Sequence, residues 1–401
     1  MSRHQVVAFC CALVLAPAAA ADAQSADDLF NPDVLQDVRL FVNERDLEQL
    51  RADYQANTYY PADLHWGGLR VRNVGIRSRG NGSRNPQKLG LRIDFNRYVA
   101  GQTFLGKKSV VLDNLWQDPS MVREVAAMAL FARLGQPAPR ESFARVYIND
   151  RYEGLYALVE AVDESFLNRT LGNGSGALFE YRWQGPYWFE DLGDELESYQ
   201  ALWEAETHKN DAPVTLHGPI RDMTRAINQP VDTAWRASVE RFVDLPQVVT
   251  HAAIEAFLAE KDGLAGEWGV NNVYLYRLPG AQIHRVLPWD RDNAFQDAEA
   301  SIFARVGSHR LLGGALAFAD LRSLYLAVLE QCAAVSAEGG WLEGVVSRSA
   351  ALIDAAVVSD VRMPYDYAAY RSEVAVLVSF ARIRPGYVRA EVARASTMGR
   401  R

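Results

Sequence analysis

Two short apolar runs, Val273-Tyr-Leu-Tyr-Arg277 and Ile283-His-Arg-Val-Leu287, are separated by a turn at Pro279-Gly280. Runs of this kind pair as an antiparallel hairpin, which brings the residues before its first strand beside those after its second. Here those flanks are Asn271-Asn272 and Trp289-Asp290-Arg-Asp292. Ahead of the hairpin, Pro246 to Lys261 carries apolar residues at helical spacing and ends on Asp262-Gly263. Each polar residue alone reads as an ordinary cap or turn former. Together, Asp262, Asn272, Asp290 and Asp292 converge through one hairpin. Such an oxygen-rich set suits a hard cation such as Mg²⁺, and a separate Asp could orient and deprotonate an attacking hydroxyl.

The first half of the chain has the punctuation of β-structure. Val38–Val42, Leu69–Ser78, Leu89–Phe95 and Ser109–Leu112 read as strands, and Asp46–Tyr54 as a short helix. Phe143–Ile148, a turn at Asn149-Asp150, and Glu153–Val159 read as a second hairpin. Asp118-Pro119-Ser120 is a helix start, with apolar residues at helical spacing up to Gly135. From Glu164 onward the pattern is mainly helical, and Leu321–Arg394 is helical by periodicity. The expectation is an α+β fold in two lobes, a strand-rich one over 36–160 and a helical one over 161–401.

Between two of those strands lies Arg79-Gly-Asn-Gly-Ser-Arg-Asn-Pro86, followed by Lys88. Gly80 and Gly82 allow backbone N–H groups to approach a phosphate, and Lys88 could reach the same anion. The spacing is not that of a P-loop, and Gly-Asn-Gly is also an ordinary hairpin turn. Glu124, near the start of the predicted helix, could pair with Lys88. Glu160 to Asp163 mark the crossover between the halves, where backbone groups could meet a planar base.

The termini and composition narrow the class. Arg3, an apolar stretch from Gln5 to Pro17 and the small residues Ala21-Asp-Ala23 form a secretory leader pattern over 1–23. The mature chain would be exported, and no later stretch is long and apolar enough to span a bilayer. Cys10 and Cys11 fall in the leader, so the remaining Cys332 can form no intrachain disulfide. The net charge of −8 argues against nucleic acid, whose binders carry a basic footprint. The seven histidines show no metal-ligand spacing.

Several of these segments resemble those of the CotH (spore coat protein H) kinase-like family. Arg79-Gly-Asn-Gly-Ser-Arg84 is similar to its R-G-N-x-S loop, and Asp118-Pro-Ser-Met-Val-Arg-Glu124 to its D-P-S-x-x-R-E helix start. Pro139-Arg140, Val146-Tyr-Ile-Asn149, Tyr152–Tyr156, Asn271–Tyr276 and Pro288-Trp-Asp-Arg-Asp292 follow in the family's order. The resemblance implies a bilobal protein-kinase-like fold and transfer of the ATP γ-phosphate to a hydroxyl acceptor, such as a Ser or Thr of an exported protein. It implies Asp262 as the catalytic residue, and Asn272, Asp290 and Asp292 as ligands of Mg²⁺ or Mn²⁺. Arg79, Gly80, Asn81, Ser83, Lys88, Glu124 and Glu160 would hold the nucleotide. The chain departs from the pattern at Gln87, Leu89 and Gln296. Those departures favour a second reading, a non-catalytic envelope or surface protein on the same scaffold.

Overall fold

The computed structural model describes residues 24–398, so the leader expected over 1–23 lies outside the described residues. Seven strands close a barrel: β1 (Leu35–Val42), β2 (Tyr60–Trp66), β3 (Leu69–Ser78), β4 (Leu91–Asp94), β5 (Ser109–Asp113), β6 (Glu141–Ile148) and β7 (Arg151–Glu160). Their order is β1-β2-β3-β4-β5-β7-β6, and β1 completes the ring by pairing in parallel with β6. Alternation decides what points inward. Val38, Leu40 and Val42 of β1 are buried, as are Leu91 and Ile93 of β4, and they join Ile76, Phe95 and Leu158 in the barrel core. Each such side chain contributes about 1.5–3 kcal/mol through burial.

A second core runs from the outer face of β5, β6 and β7 and the helix Arg123–Arg133 through the C-terminal half. It is built around the helix Leu245–Phe257, which packs against the helix Ala319–Ala337 and the strand His284–Pro288. Asp244 caps the first of these helices by accepting from the Gln247 N–H, and Pro246 occupies its first turn. A four-stranded sheet of order β11-β10-β8-β9 comprises β8 (Ala177–Tyr181), β9 (Trp203–Ala205), β10 (Val273–Arg277) and β11 (His284–Pro288). The helices Trp341–Ser359 and Tyr367–Met398 complete the C-terminal part. No helix among the described residues is long and apolar enough to cross a membrane.

The α+β class agrees with the sequence reading, and the strand-rich part closes into a seven-stranded barrel that the sequence reading did not specify. Closure depends on the parallel β1–β6 pair, which joins segments about a hundred residues apart and leaves no periodic trace. The helix expected from Asp118 begins instead at Arg123. Its leading residues form a tight turn in which the Asp118 carboxylate accepts from Ser120 N, Ser120 Oγ and Arg123 N.

Candidate active site

The hairpin does what its pattern predicts. Val273 pairs with Pro288, so Asn272 and Asp290 emerge at the same end, and Trp289 N–H donates to Asn272 O at 3.1 Å. Asn272 (φ 50°) and Asp290 (φ 53°) both adopt the left-handed backbone region. Among non-glycine residues Asn and Asp are enriched in that region, and departures of this kind cluster at functional sites. Asp262 follows the helix Leu245–Phe257. Its carboxylate accepts from Asn271 Nδ2 at 3.1 and 3.0 Å and from Asn272 Nδ2 at 3.1 Å. Its own N–H donates to Glu260 Oε1 at 2.7 Å. The loop that carries Asp262 is therefore stitched directly to the hairpin.

Beneath that loop lies a buried charge assembly. Arg291 Nη2 meets Glu255 Oε1 at 2.7 Å, and His251 Nε2 sits 2.8 Å from the same oxygen. Burial disfavours the charged Glu255, but Arg291 and His251 hold its carboxyl down to about 2. Gly263 is needed here, because a Cβ would lie 2.5 Å from Glu255 Oε1. Glu255→Ala leaves Arg291 buried without its counter-charge and is expected to cost about 3–5 kcal/mol. Denaturant unfolding checks this, and a loss below about 1 kcal/mol, typical of an exposed pair, would contradict it.

In front of the hairpin end opens a cleft of ≈ 620 Å³, within the range of small-molecule sites. Asn271, Asn272, Tyr274, Trp289 and Asp290 of the hairpin line it together with Glu180 and Arg182 at the end of the neighbouring strand, and Arg77, Arg79, Gly80, Asn81, Arg84 and Arg92 line it from the barrel and its loop. The arginines are placed by strand register. Arg77 stands opposite Arg92, and Arg92 opposite Val111, so the three share one face of the barrel wall. Arg79 Nη1 pairs with Asp113 Oδ2 at 2.8 Å, and its guanidinium lies 5.5 Å from the Trp289 ring. Burial, together with repulsion from Arg77, Arg79 and Arg182, pushes Arg84 below the usual arginine range. So much crowded positive charge favours an anionic ligand. Ala161 and Val162 line the same cleft.

Negative charge is crowded in the same way. Burial, with Asp113 next in weight, pushes the Asp290 carboxyl up to about 6. Burial and Asp290 push Asp292 well above the carboxylate range. Burial raises both Glu124 and Glu141 in the interior, with Glu141 next in weight for Glu124 and Asp113 next in weight for Glu141. Among the described residues, no three His, Cys, Asp or Glu side chains converge closely enough to hold a metal ion by themselves. The arrangement still fits an oxygen-preferring divalent ion of the Mg²⁺ type. Such an ion takes one or two carboxylates and completes its shell with phosphates and water. Asp290 and the free amide oxygen of Asn272 are suited to that part.

Four sequence expectations need correction. Lys88 does not pair with Glu124. Its ammonium is fully buried 2.6 Å from Asp360 Oδ2, and burial pushes it down to about 8 despite that partner. Glu124 turns instead to Glu141. Glu160 does not face the cleft either; its side chain is buried and bound by Lys107, Arg140 and Arg169. These partners hold it down to about 2 against the cost of burial. The neighbours Ala161 and Val162 take its expected place at the wall. Ser83 lies outside the cleft lining, its carbonyl accepting from Asn114 Nδ2, and Asp292 likewise stands behind Asp290, bonded to Asn293 Nδ2. Sequence reasoning missed Asp113, Glu141, Arg77, Arg92 and Arg182. Arg77 and Arg79 carried a signal, since positions i and i+2 along a strand share a face.

Comparison with known proteins agrees with this arrangement. The model of the CotH kinase protein family matches residues 76–388, which include the arginine-bearing loop and the hairpin. The inner spore coat protein H of Bacillus subtilis (strain 168) is 27% identical over 300 residues, covering 73% of this chain and 80% of that protein.

Proposed function

The chain belongs to the CotH kinase protein family, and from that membership and its cleft we propose that it is an exported, ATP- and divalent-metal-dependent phosphotransferase acting on a hydroxyl acceptor, such as a protein Ser or Thr. The observation that carries the reading is the meeting of Asn272 and Asp290 at one hairpin end in the arginine-lined cleft, with the Asp262 carboxylate hydrogen-bonded to the Asn271 and Asn272 amides that line it. The two hydrophobic cores, one inside the barrel and one among the helices, support a bilobal, kinase-like reading, although the second core also takes in residues between Val111 and Val159. The leader-like residues 1–23 support export. The relative named a spore coat protein is in keeping with an envelope location.

In this reading Arg79 and the backbone of Gly80 and Asn81 bind the phosphates. Gly80 has φ 105°, and a Cβ there would lie 2.4 Å from Ser83 Oγ, so the loop needs glycine at this position. Val111, Ala161 and Val162 offer an apolar wall to the base. Asp290 and Asn272 would hold Mg²⁺ or Mn²⁺, which supplies neutralisation of phosphate charge when bound. Asp262 orients the acceptor hydroxyl and takes its proton. Burial raises the Asp262 carboxyl, partly offset by the Asn271 hydrogen bond, so it is a stronger base than a free aspartate.

The test is thermal denaturation with ATP and Mg²⁺ or Mn²⁺. A ligand bound only by the native state stabilises it by about 2.7 kcal/mol at a hundredfold excess over Kd. A concentration-dependent rise in melting temperature is expected, and no shift at saturating nucleotide and metal would favour a scaffold without catalysis. Metal affinity should also depend on pH. Asp290 must lose its proton to act as a ligand, so affinity should fall as pH drops through about 6, by up to about tenfold per unit for a single proton. Calorimetry between pH 5 and 8 reads this, and a flat profile would remove Asp290 from the ligand set.

A further inference from the structure

The loop that lines the arginine side of the cleft is held from behind by a segment far along the chain. The turn between the helices Trp341–Ser359 and Tyr367–Met398 reaches the barrel through Asp360 and Arg362. Asp360 Oδ2 takes the Lys88 ammonium at 2.6 Å and the Leu155 N–H at 2.8 Å, and Oδ1 takes the Arg362 N–H at 3.0 Å. The Lys88 and Asp360 side chains are both fully buried. Room for this carboxylate exists because residue 154 is glycine, where a Cβ would lie 2.5 Å from Asp360 Oδ2.

Arg362 adds a second hold. Its Nη1 donates to Gln87 O at 2.9 Å, and its Nε lies 3.3 Å from Glu153 Oε2. Arg51 makes a parallel set of contacts from the barrel side, donating to Pro86 O at 2.9 Å and pairing with Glu153 at 2.6 Å. Asn114 Nδ2 closes the inner side by donating to Ser83 O at 2.9 Å and Lys88 O at 2.8 Å. The carbonyls of residues 83, 86, 87 and 88 are thus all accepting from side chains outside the loop. None of these anchors lines the cleft.

We infer that residues 360–363 are a strap that sets the shape of the 79–88 loop from outside the cleft, with Asp360 and Arg362 as positioning residues for nucleotide binding. The inference rests on the reading that this loop binds phosphate. Lys88, the one lysine in the loop, serves as an anchor and is withheld from the ligand. Side chains that fix a binding group in place commonly matter nearly as much as the group itself. The arrangement also ties the C-terminal helices to the barrel at the point where the cleft opens.

The experiment compares Arg362→Ala, Arg362→Lys and Asp360→Asn with the full wild-type chain. Amide hydrogen exchange over residues 80–90 is read alongside KM and kcat for ATP with Mn²⁺. Arg362 is about a third exposed, so its alanine variant is expected to fold. In that variant, exchange over 80–90 should accelerate about tenfold, the effect of losing about 1.4 kcal/mol of anchoring. KM for ATP should rise by a larger factor than kcat falls, and Arg362→Lys should recover part of both changes. Unchanged exchange and unchanged KM in a folded Arg362→Ala would overturn the strap. Faster exchange in a chain whose wild type binds no nucleotide would overturn the phosphate-loop reading, and with it the positioning role of Asp360 and Arg362.

Discussion

Asp290→Ala is expected to lower the affinity of the chain for metal-bound ATP by about 100-fold, in the ~2–5 kcal/mol range for removing one partner of a buried charge contact. Two forces act in the same direction. The variant loses a carboxylate from a site that cannot draw on three clustered acids. It also leaves Arg79 with Asp113 alone among its two nearest acids, so the cleft becomes more positive at the place where the metal would bind. The fold should survive, because Asp290 lines an open cleft and is not part of either core. Calorimetric titration with ATP and Mn²⁺, next to a melting curve of the free variant, separates binding from folding. Wild-type affinity in a folded Asp290→Ala would remove this residue from the site.

Asp262→Ala should behave differently. Its carboxylate faces Asn271 and Asn272 and is assigned to the acceptor hydroxyl, with no contact to phosphate required. Turnover is therefore expected to fall about 10²–10⁴-fold, as for loss of a general base, while ATP affinity changes little. One structural effect is foreseeable, since Asn271 and Asn272 lose the acceptor that ties them to the loop. Asp262→Asn keeps most of that geometry and removes the charge, so both variants should lose turnover alike. Full turnover in Asp262→Asn would assign the residue to holding the hairpin only.

The parts of the site that sequence made legible share one property: they are local. The hairpin flanks and the helix before Asp262 are each set by residues within a few positions, whereas the glycine loop was legible as a turn but not in what holds it. The parts that were not legible are settled by partners distant in sequence. Lys88 and Glu124 read as a pair because a helical Glu that holds a strand Lys on the phosphates is a recurring kinase device. Nothing near Lys88 announces that Asp360, 272 positions away, enters the barrel to meet it. The position of Glu160 was read correctly as a crossover, yet its side chain follows Lys107, Arg140 and Arg169 into the interior. The barrel itself was hidden for the same reason. Its closing pair is parallel and distant, and β2, which begins Tyr60-Pro61, carries a proline that weakens any strand assignment.

The most direct measurement is transfer of labelled phosphate. Wild-type chain and Asp262→Ala are each incubated with γ-labelled ATP, Mn²⁺ and an extract of extracellular proteins, and the labelled residues are located by mass spectrometry. A phosphotransferase built on this cleft labels Ser or Thr hydroxyls in the wild-type reaction and leaves them unlabelled with Asp262→Ala. Equal labelling in both reactions would place the chemistry elsewhere. Absence of label from a wild-type chain that binds ATP and metal would make this a kinase-like scaffold without transfer.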